Sequence, residues 1–252
     1  MKIWIIPVND LEAVEIRNLL QARGQTVVTS QQRWGARWEN LEAGVVAQVE
    51  SLMQQPDSEV IGVELGGTPR WNGRNIDHHR YGEGDRTNEL SSLEQVATEL
   101  GVELNRYQQL VAANDKGWIP ALQAAGAKAG EVDAVRQSDR CAQGVTPDDE
   151  AQAVRDLASA EWRGHKVLVH CPKGSTSAHT DRLYGQFDEC LTCGQDKWIY
   201  FGPRHNQLHE LVHSQSLGNE RDWVGGKPES GYAGFVTPSE AAQDVIRSFF
   251  WQ

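Results

Sequence analysis

Asp77-His78-His79 sets a carboxylate and two imidazoles side by side at the end of an extended run, just ahead of a glycine-punctuated loop. On an extended backbone His78 and His79 leave opposite faces, and at a strand end they can splay around one ligand. A metal ion takes a neutral imidazole nitrogen and a phosphate takes a protonated one. An adjacent carboxylate can fix the tautomer of either. The alternative is a polar surface turn. Other acids weigh against that turn: Asp10-Leu11-Glu12 follows a first apolar run, Glu64 ends a second, and Asp115 follows an apolar helix. Singly, each would be a helix cap or a solvated residue. Jointly they form an array of oxygen and imidazole ligands without thiolate, which suits Mn²⁺ or Mg²⁺ better than structural zinc. Two such ions close together clamp a phosphate and generate hydroxide between them.

The elements that must position these groups read as alternating strands and helices. Residues 1–8 form a buried strand carrying Ile3, Ile5 and Ile6 and stopped by Pro7. A helix follows from Asp10 to Arg23, with Gly24 ending it. Short strands are expected at Thr26–Thr29, Val60–Leu65 and Arg74–Asp77, with a helix over Leu41–Gln54. Ser91 or Ser92 caps a helix to Leu100, with Glu94 in its first turn. This alternation predicts an α/β fold built on a parallel sheet with right-handed crossovers. In such sheets ligands sit at the carboxyl ends of the strands, where Asp10, Glu64, His78 and His79 fall. Residues 129–162 read as a charged, connecting helical segment interrupted at Gly144 and Pro147. A second block opens at Gly164, with strands at Lys166–His170 and Lys197–Phe201 and a closing amphipathic segment, Ser239–Phe250. The expected division is a domain over 1–162 and a smaller mixed α/β domain over 163–252.

The chain has 252 residues, enough to bury a sizeable core, and a net charge of −11. That balance argues against strong, non-specific binding of duplex DNA but leaves room for a mononucleotide or short oligonucleotide on a local patch. Residues 1–7 lack the pattern of a signal peptide, and no run approaches the ~18 apolar residues of a membrane span. Four cysteines fit a reducing compartment. A soluble, cytoplasmic protein without membrane contact is therefore expected.

The acids and imidazoles resemble those of the DHH phosphoesterase superfamily, which carries an Asp-x-Asp after its first strand, an acid after a later strand, the Asp-His-His itself and a further Asp. Its members include manganese pyrophosphatases, single-strand exonucleases, nano-RNases and cyclic-dinucleotide phosphodiesterases. By that match Asp10, Glu12, Glu64, His78 and Asp115 would be the metal ligands. Asp77 would orient the imidazoles, and His79 would contact the scissile phosphate or the leaving group. The tail, from Gly225-Gly226-Lys227 to Tyr232-Ala233-Gly234-Phe235, looks like the family's Gly-Gly-Gly-His-x-x-Ala-Ala-Gly-Phe substrate loop. Taken alone, a glycine-rich stretch of this kind is more often a hairpin. The chain departs from the family in several places. Ile6 stands where several branches have a His, Glu12 and Glu64 replace the usual Asp, and Lys227 or Pro228 falls at the tail His. The resemblance implies a divergent member in which one of two metal positions is weak or absent. Dimers are common in the family, so a homodimer is open.

Outside those motifs, the strand end His170-Cys171-Pro172-Lys173-Gly174-Ser175-Thr176 offers a cation, a glycine and hydroxyls that can cradle an anion; a polar surface loop is the alternative. If the second domain closes over the first, Lys173, Ser175, Arg182, Arg204 and His205 would hold the non-reacting part of the substrate, and the tail resemblance implies that Gly225, Gly226 and Lys227 bind it too. Cys190-Leu191-Thr192-Cys193, with Cys171 and His170, could make a zinc site; ordinary buried thiols are the alternative. Arg136-Gln137-Ser138-Asp139-Arg140 could pair with acids, face the cleft or be solvated. Trp34, Trp38 and Trp71 could stack on a base or pack in the core. The expected function is metal-dependent hydrolysis of a phosphoester or phosphoanhydride of a nucleotide or short oligonucleotide, with Mn²⁺ or Mg²⁺ as cofactor, in the cleft between the domains. The rivals are a phosphatase of another small molecule and a nucleotide-binding sensor that does not cleave.

Overall fold

The computed structural model describes residues 1–33, 35–78, 90–172, 176–226, 228–229 and 231–252. The chain divides into two units, Met1–Gly144 and Val145–Gln252. In the first, strand β1 (Lys2–Pro7) is the centre of a sheet whose described strands are all parallel. It pairs with β2 (Thr26–Ser30) on one side and β3 (Glu59–Val63) on the other, and β4 (Arg74–Ile76) pairs with β3. Alternation along β1 builds two cores at once, because successive side chains leave opposite faces. Trp4 and Ile6 pack with Ile61, Val63 and Ile76 against helices α1 (Leu11–Ala22), α3 (Ser92–Leu100), α4 (Arg106–Ala124) and α5 (Ala129–Ala142). Ile3 and Ile5 pack with Val28 and Val60 against α2 (Ala43–Leu52). A sheet covered on both faces explains why its strands read as continuous apolar runs.

Trp38, one of the aromatics with two possible uses, is wholly buried in the second of these cores. Its ring lies where a Cβ on Gly62 would approach to 2.2 Å, so the glycine of β3 makes room for the indole. Trp71 is half-buried under the Arg70 guanidinium, 4.8 Å from its ring centre, and Trp34 lies outside the described residues.

The second unit runs α6 (Pro147–Ala158), β5 (Glu161–Arg163), β6 (Lys166–His170), α7 (Ser177–Leu183), β7 (Glu189–Cys193), β8 (Lys197–Gly202), α8 (His205–Ser214), β9 (Trp223–Gly225), β10 (Gly231–Val236) and α9 (Glu240–Trp251). Its sheet has the order β5-β6-β7-β8-β10-β9, with β6 and β7 parallel and the other pairs antiparallel. The fold is therefore α/β, with a parallel sheet followed by a mixed one. The division falls ahead of the boundary expected near Arg163-Gly164, because α6 packs with the second unit: Glu150 pairs with Arg182 at 2.6 Å and Asp156 with His179 at 3.0 Å. Trp162, read as the end of a helical segment, sits in the edge strand β5.

The CxxC stretch became strand β7, a residue pattern whose apolar content had gone unread as a strand. Three positions apart on a strand, Cys190 and Cys193 face opposite sides of the sheet. Cys190 packs with Val167, Val169 and Cys171, and Cys193 with Leu191, Trp198 and Tyr200. Burial pushes the Cys171 and Cys193 thiols up to about 12 and raises that of Cys190 as well. Those are packed thiols, and their geometry does not fit the zinc site considered from sequence.

Candidate metal centre

Because β2 and β3 flank β1 on opposite sides, and α1 and α2 cover opposite faces, the first sheet changes direction between β1 and β3. Such a switch leaves a crevice outside the carboxyl ends of those two strands. The candidate residues reach this edge from four segments. Asp10 caps α1, its carboxylate accepting from Ala13 N at 2.8 Å. Glu12, in the first turn, turns inward and is 1% exposed. Its Oε1 accepts from Leu93 N at 2.9 Å. Leu93 N belongs to the first turn of α3, where helix amides have no partner in their own helix, so the start of α3 holds Glu12 in place.

Glu64 follows β3 with φ +53°, a left-handed conformation at a residue that is not glycine, and its N–H donates to Ile76 O at 2.8 Å. Strain of this kind costs on the order of 1 kcal/mol and persists where neighbouring structure holds it. Here it turns the side chain out of the strand direction. His78 follows β4, is 1% exposed, and is preceded by Asp77, whose carbonyl accepts from Gln95 Nε2 at 3.2 Å. Asp115 lies inside α4 rather than in a loop after it, immediately before the break at Gly117 and Trp118, where φ of Trp118 is +56°.

These four side chains converge. His78 Nε2 lies 2.5 Å from Asp115 Oδ2, 3.4 Å from Glu64 Oε1 and 3.8 Å from Glu12 Oε2. One ligand atom from each of the four lies within 4.8 Å of all the others. Burial raises the carboxyl of Glu12 well above its ordinary range, and the charges of Asp115 and Glu64 push it further. Asp10 is raised in the same way, by burial first and then by Glu64 and Asp115, so it feels the cluster although it is occupied as a cap. Burial alone would lower the imidazole of His78, but hydrogen bonding and charge from Asp115 and Glu64 carry it up to about 10. One imidazolium thus faces three carboxyl groups, and Glu12 Oε2 is buried with no hydrogen-bond partner among the described residues. Excess buried negative charge with an orphaned oxygen is the condition that a divalent cation meets, and three carboxylates with an imidazole fit a hard, oxygen-preferring ion.

Of the five expected ligands, the structure gathers Glu12, Glu64, His78 and Asp115 and places Asp10 beside them. Asp77 is half-buried at the same strand end. His79, Lys173, Ser175 and Lys227 lie outside the described residues. In the second unit, Arg182 donates to Ala178 O and Glu150 at 2.6 Å each, and Arg204 donates to Glu189 at 2.6 Å. His205 is buried, with Nδ1 3.0 Å from Gly202 O. Gly225 ends β9 and Gly226 follows it; the glycine-rich tail continues into β10 and is a strand pair. Gly231 lets β10 approach the His205 ring, which an added Cβ would meet at 2.3 Å. Sequence reading gave Ser91 as a possible helix cap, passed over Leu93, whose amide holds Glu12, put Asn114 at the end of an apolar helix and left open whether the stretch with Asp139 pairs with acids, faces the cleft or is solvated. The capping box at Ser91 and Glu94 was visible, but nothing in a linear pattern says that its amides also serve a distant carboxylate.

No family model matches this chain, and no curated protein does. Among solved structures it is similar to PggH, a pGpG-specific phosphodiesterase from Vibrio cholerae, with a TM-score of 0.47 and 11% identity over 100% of this chain and 98% of that one. It is also similar to RecJ from Thermus thermophilus in complex with Mg²⁺, with a TM-score of 0.45 and 15% identity over 99% of this chain and 49% of that one. A third is an exonuclease RecJ bound to manganese, with a TM-score of 0.42 and 14% identity over 100% of this chain and 90% of that one.

Proposed function

We propose that this chain is a divalent-metal-dependent phosphohydrolase of the DHH type, acting on a phosphoester or phosphoanhydride of a nucleotide or short oligonucleotide. The observation that carries it is the convergence of Glu12, Glu64, His78 and Asp115 at the switch point of a parallel sheet. Those four residues would hold Mn²⁺ or Mg²⁺, with Asp10 adjacent. A divalent ion bound there supplies Lewis acidity toward a phosphoryl oxygen and lowers the pKa of a coordinated water. The protein's own part is positional: the start of α3 holds Glu12, the left-handed turn follows β3 at Glu64, and Asp115 sits 2.5 Å from His78 Nε2. His79 is assigned to the phosphate or leaving group, and Asp77 to orienting the imidazoles, by the sequence resemblance.

A second reading is favoured by Asp10, which serves as a helix cap while the described residues bring together one four-ligand group. A single ion would favour a nucleotide-binding protein with little turnover. Metal content by mass spectrometry on protein purified without chelator, beside a His78→Ala/Asp115→Ala double variant, comes first. Near-stoichiometric manganese in the parent and none in the variant is expected. A screen with Mn²⁺ on nucleotides, short oligonucleotides and sugar phosphates then separates the readings. Metal without turnover on any of them supports the sensor, and no metal even after soaking with Mn²⁺ overturns the hydrolase.

A further inference from the structure

Beside the candidate ligands lies a second buried polar cluster that contributes none of them. Asp139, on α5, is 5% exposed and its carboxylate receives four donors from three helices. Oδ1 accepts from Leu11 N at 3.3 Å. Oδ2 accepts from Arg136 Nη1 at 2.7 Å, Gln143 Nε2 at 3.1 Å and Asn114 Nδ2 at 3.3 Å. Arg136, 7% exposed, also donates from Nη1 to Asn114 Oδ1 at 2.8 Å. Of these four donors, three converge on Oδ2 and one on Oδ1.

What this cluster grips is specific. Leu11 stands between Asp10 and Glu12, and its amide is the first of α1, a donor with no partner in its own helix. Asn114 immediately precedes Asp115. One buried pair on α5 therefore holds the start of α1 and the last turn of α4 before its break, the two helical segments that carry candidate ligands. The partners lie 128 and 25 residues from Asp139 in sequence, so local helix geometry cannot set their spacing. Salt bridging alone would not require this arrangement: an i,i+3 pair on a helix can form at the surface, whereas this one is buried and shared.

We propose that Arg136 and Asp139 are positioning residues that set the distance between Glu12 on α1 and Asp115 on α4, and so the affinity and symmetry of the metal site. This rests on the metal-site reading above. Outer partners of this kind typically change metal affinity by about 10- to 100-fold when removed.

The test is Mn²⁺ titration followed by electron paramagnetic resonance and calorimetry on the full chain, comparing the parent with Asp139→Asn, Arg136→Lys and Val135→Ala. Val135 is buried on the same helix and packs in the core without joining the cluster, so its variant loosens α5 by packing alone. The expected result is Mn²⁺ affinity lowered about 10- to 100-fold by Asp139→Asn, with a broadened Mn²⁺ signal, and within about threefold of the parent for Val135→Ala. Arg136→Lys keeps the charge but loses the planar guanidinium, and an intermediate loss is expected; it carries the same test should Asp139→Asn not fold. Parent-like affinity and signal in the folded Asp139 and Arg136 variants would overturn the proposal and leave the metal site standing. An equal loss in Val135→Ala would reduce the cluster to ordinary packing. A parent that takes up no Mn²⁺ overturns the metal reading itself, and this one with it.

Discussion

Each unit buries acid, and the two do so in opposite ways. In the second unit, Glu189 accepts from Tyr200 at 2.7 Å and Arg204 at 2.6 Å and pairs with Lys166 at 3.0 Å. Burial alone would raise its carboxyl, but those three partners hold it below its ordinary value. In the first unit, Glu12 is buried more deeply still beside Glu64 and Asp115, and burial together with those charges drives it the other way. A buried acid that the protein itself supplies with cations and donors is a structural joint. One set among other acids holds a place for a cation that comes from outside. The direction of the shift, read together with the geometry, separates the two roles.

The largest expected effect separates the units outright. His78→Ala should abolish measurable Mn²⁺ uptake, whereas Glu189→Ala should leave uptake unchanged and cost about 2–3 kcal/mol of stability in denaturant melts, by leaving Arg204 and Lys166 half-buried without their acid. Mn²⁺ loss in both variants would erase the contrast.

A sharper comparison uses neutral isosteres in metal-free protein. Because the folded-state pKa of Glu12 is raised, its ionised form opposes folding above the unfolded value of about 4.5. Glu12→Gln should therefore stabilise the metal-free chain by about 1 kcal/mol near pH 8, while weakening Mn²⁺ binding. Glu189 is depressed, so its contribution is present above about pH 4.5 and is lost as pH falls through the lower folded value. Glu189→Gln should thus destabilise the protein near pH 8 and flatten the acid side of its stability curve. Equal signs for the two substitutions, in thermal melts with chelator present, would show that the two acids are alike.

The smallest effect concerns the four thiols. Cys141 is exposed, while Cys171, Cys190 and Cys193 are buried with raised pKa values. One fast thiol and three that react only on unfolding are expected with a disulfide reagent, together with no zinc in the metal analysis. Zinc at stoichiometry would place a second metal-dependent joint where packed thiols are described.

Much of the first unit was legible because its signals are local. Alternation in β1, the Asp10 cap, the Ser91 capping box and the left-handed Gly24 each depend on residues within a turn or two, as do the strands that deliver Glu64 and His78. The second unit was harder to read. Mixed antiparallel pairing gives short strands with weaker patterns, and Cys190–Cys193 was weighed as a zinc site or ordinary thiols without being read as a strand.

By itself, then, the sequence determined which residue types stand at the ends of the parallel strands, since strand period and turn chemistry follow from near neighbours. Only the tertiary structure decided which of them meet. It brought Asp115 from within a helix onto His78, and used Leu93 N to hold Glu12 and Asp139 to tie α1 to α4. Those contacts join residues 25 to 128 positions apart, where spacing along the chain carries no information and packing of the helices on the sheet sets the distance.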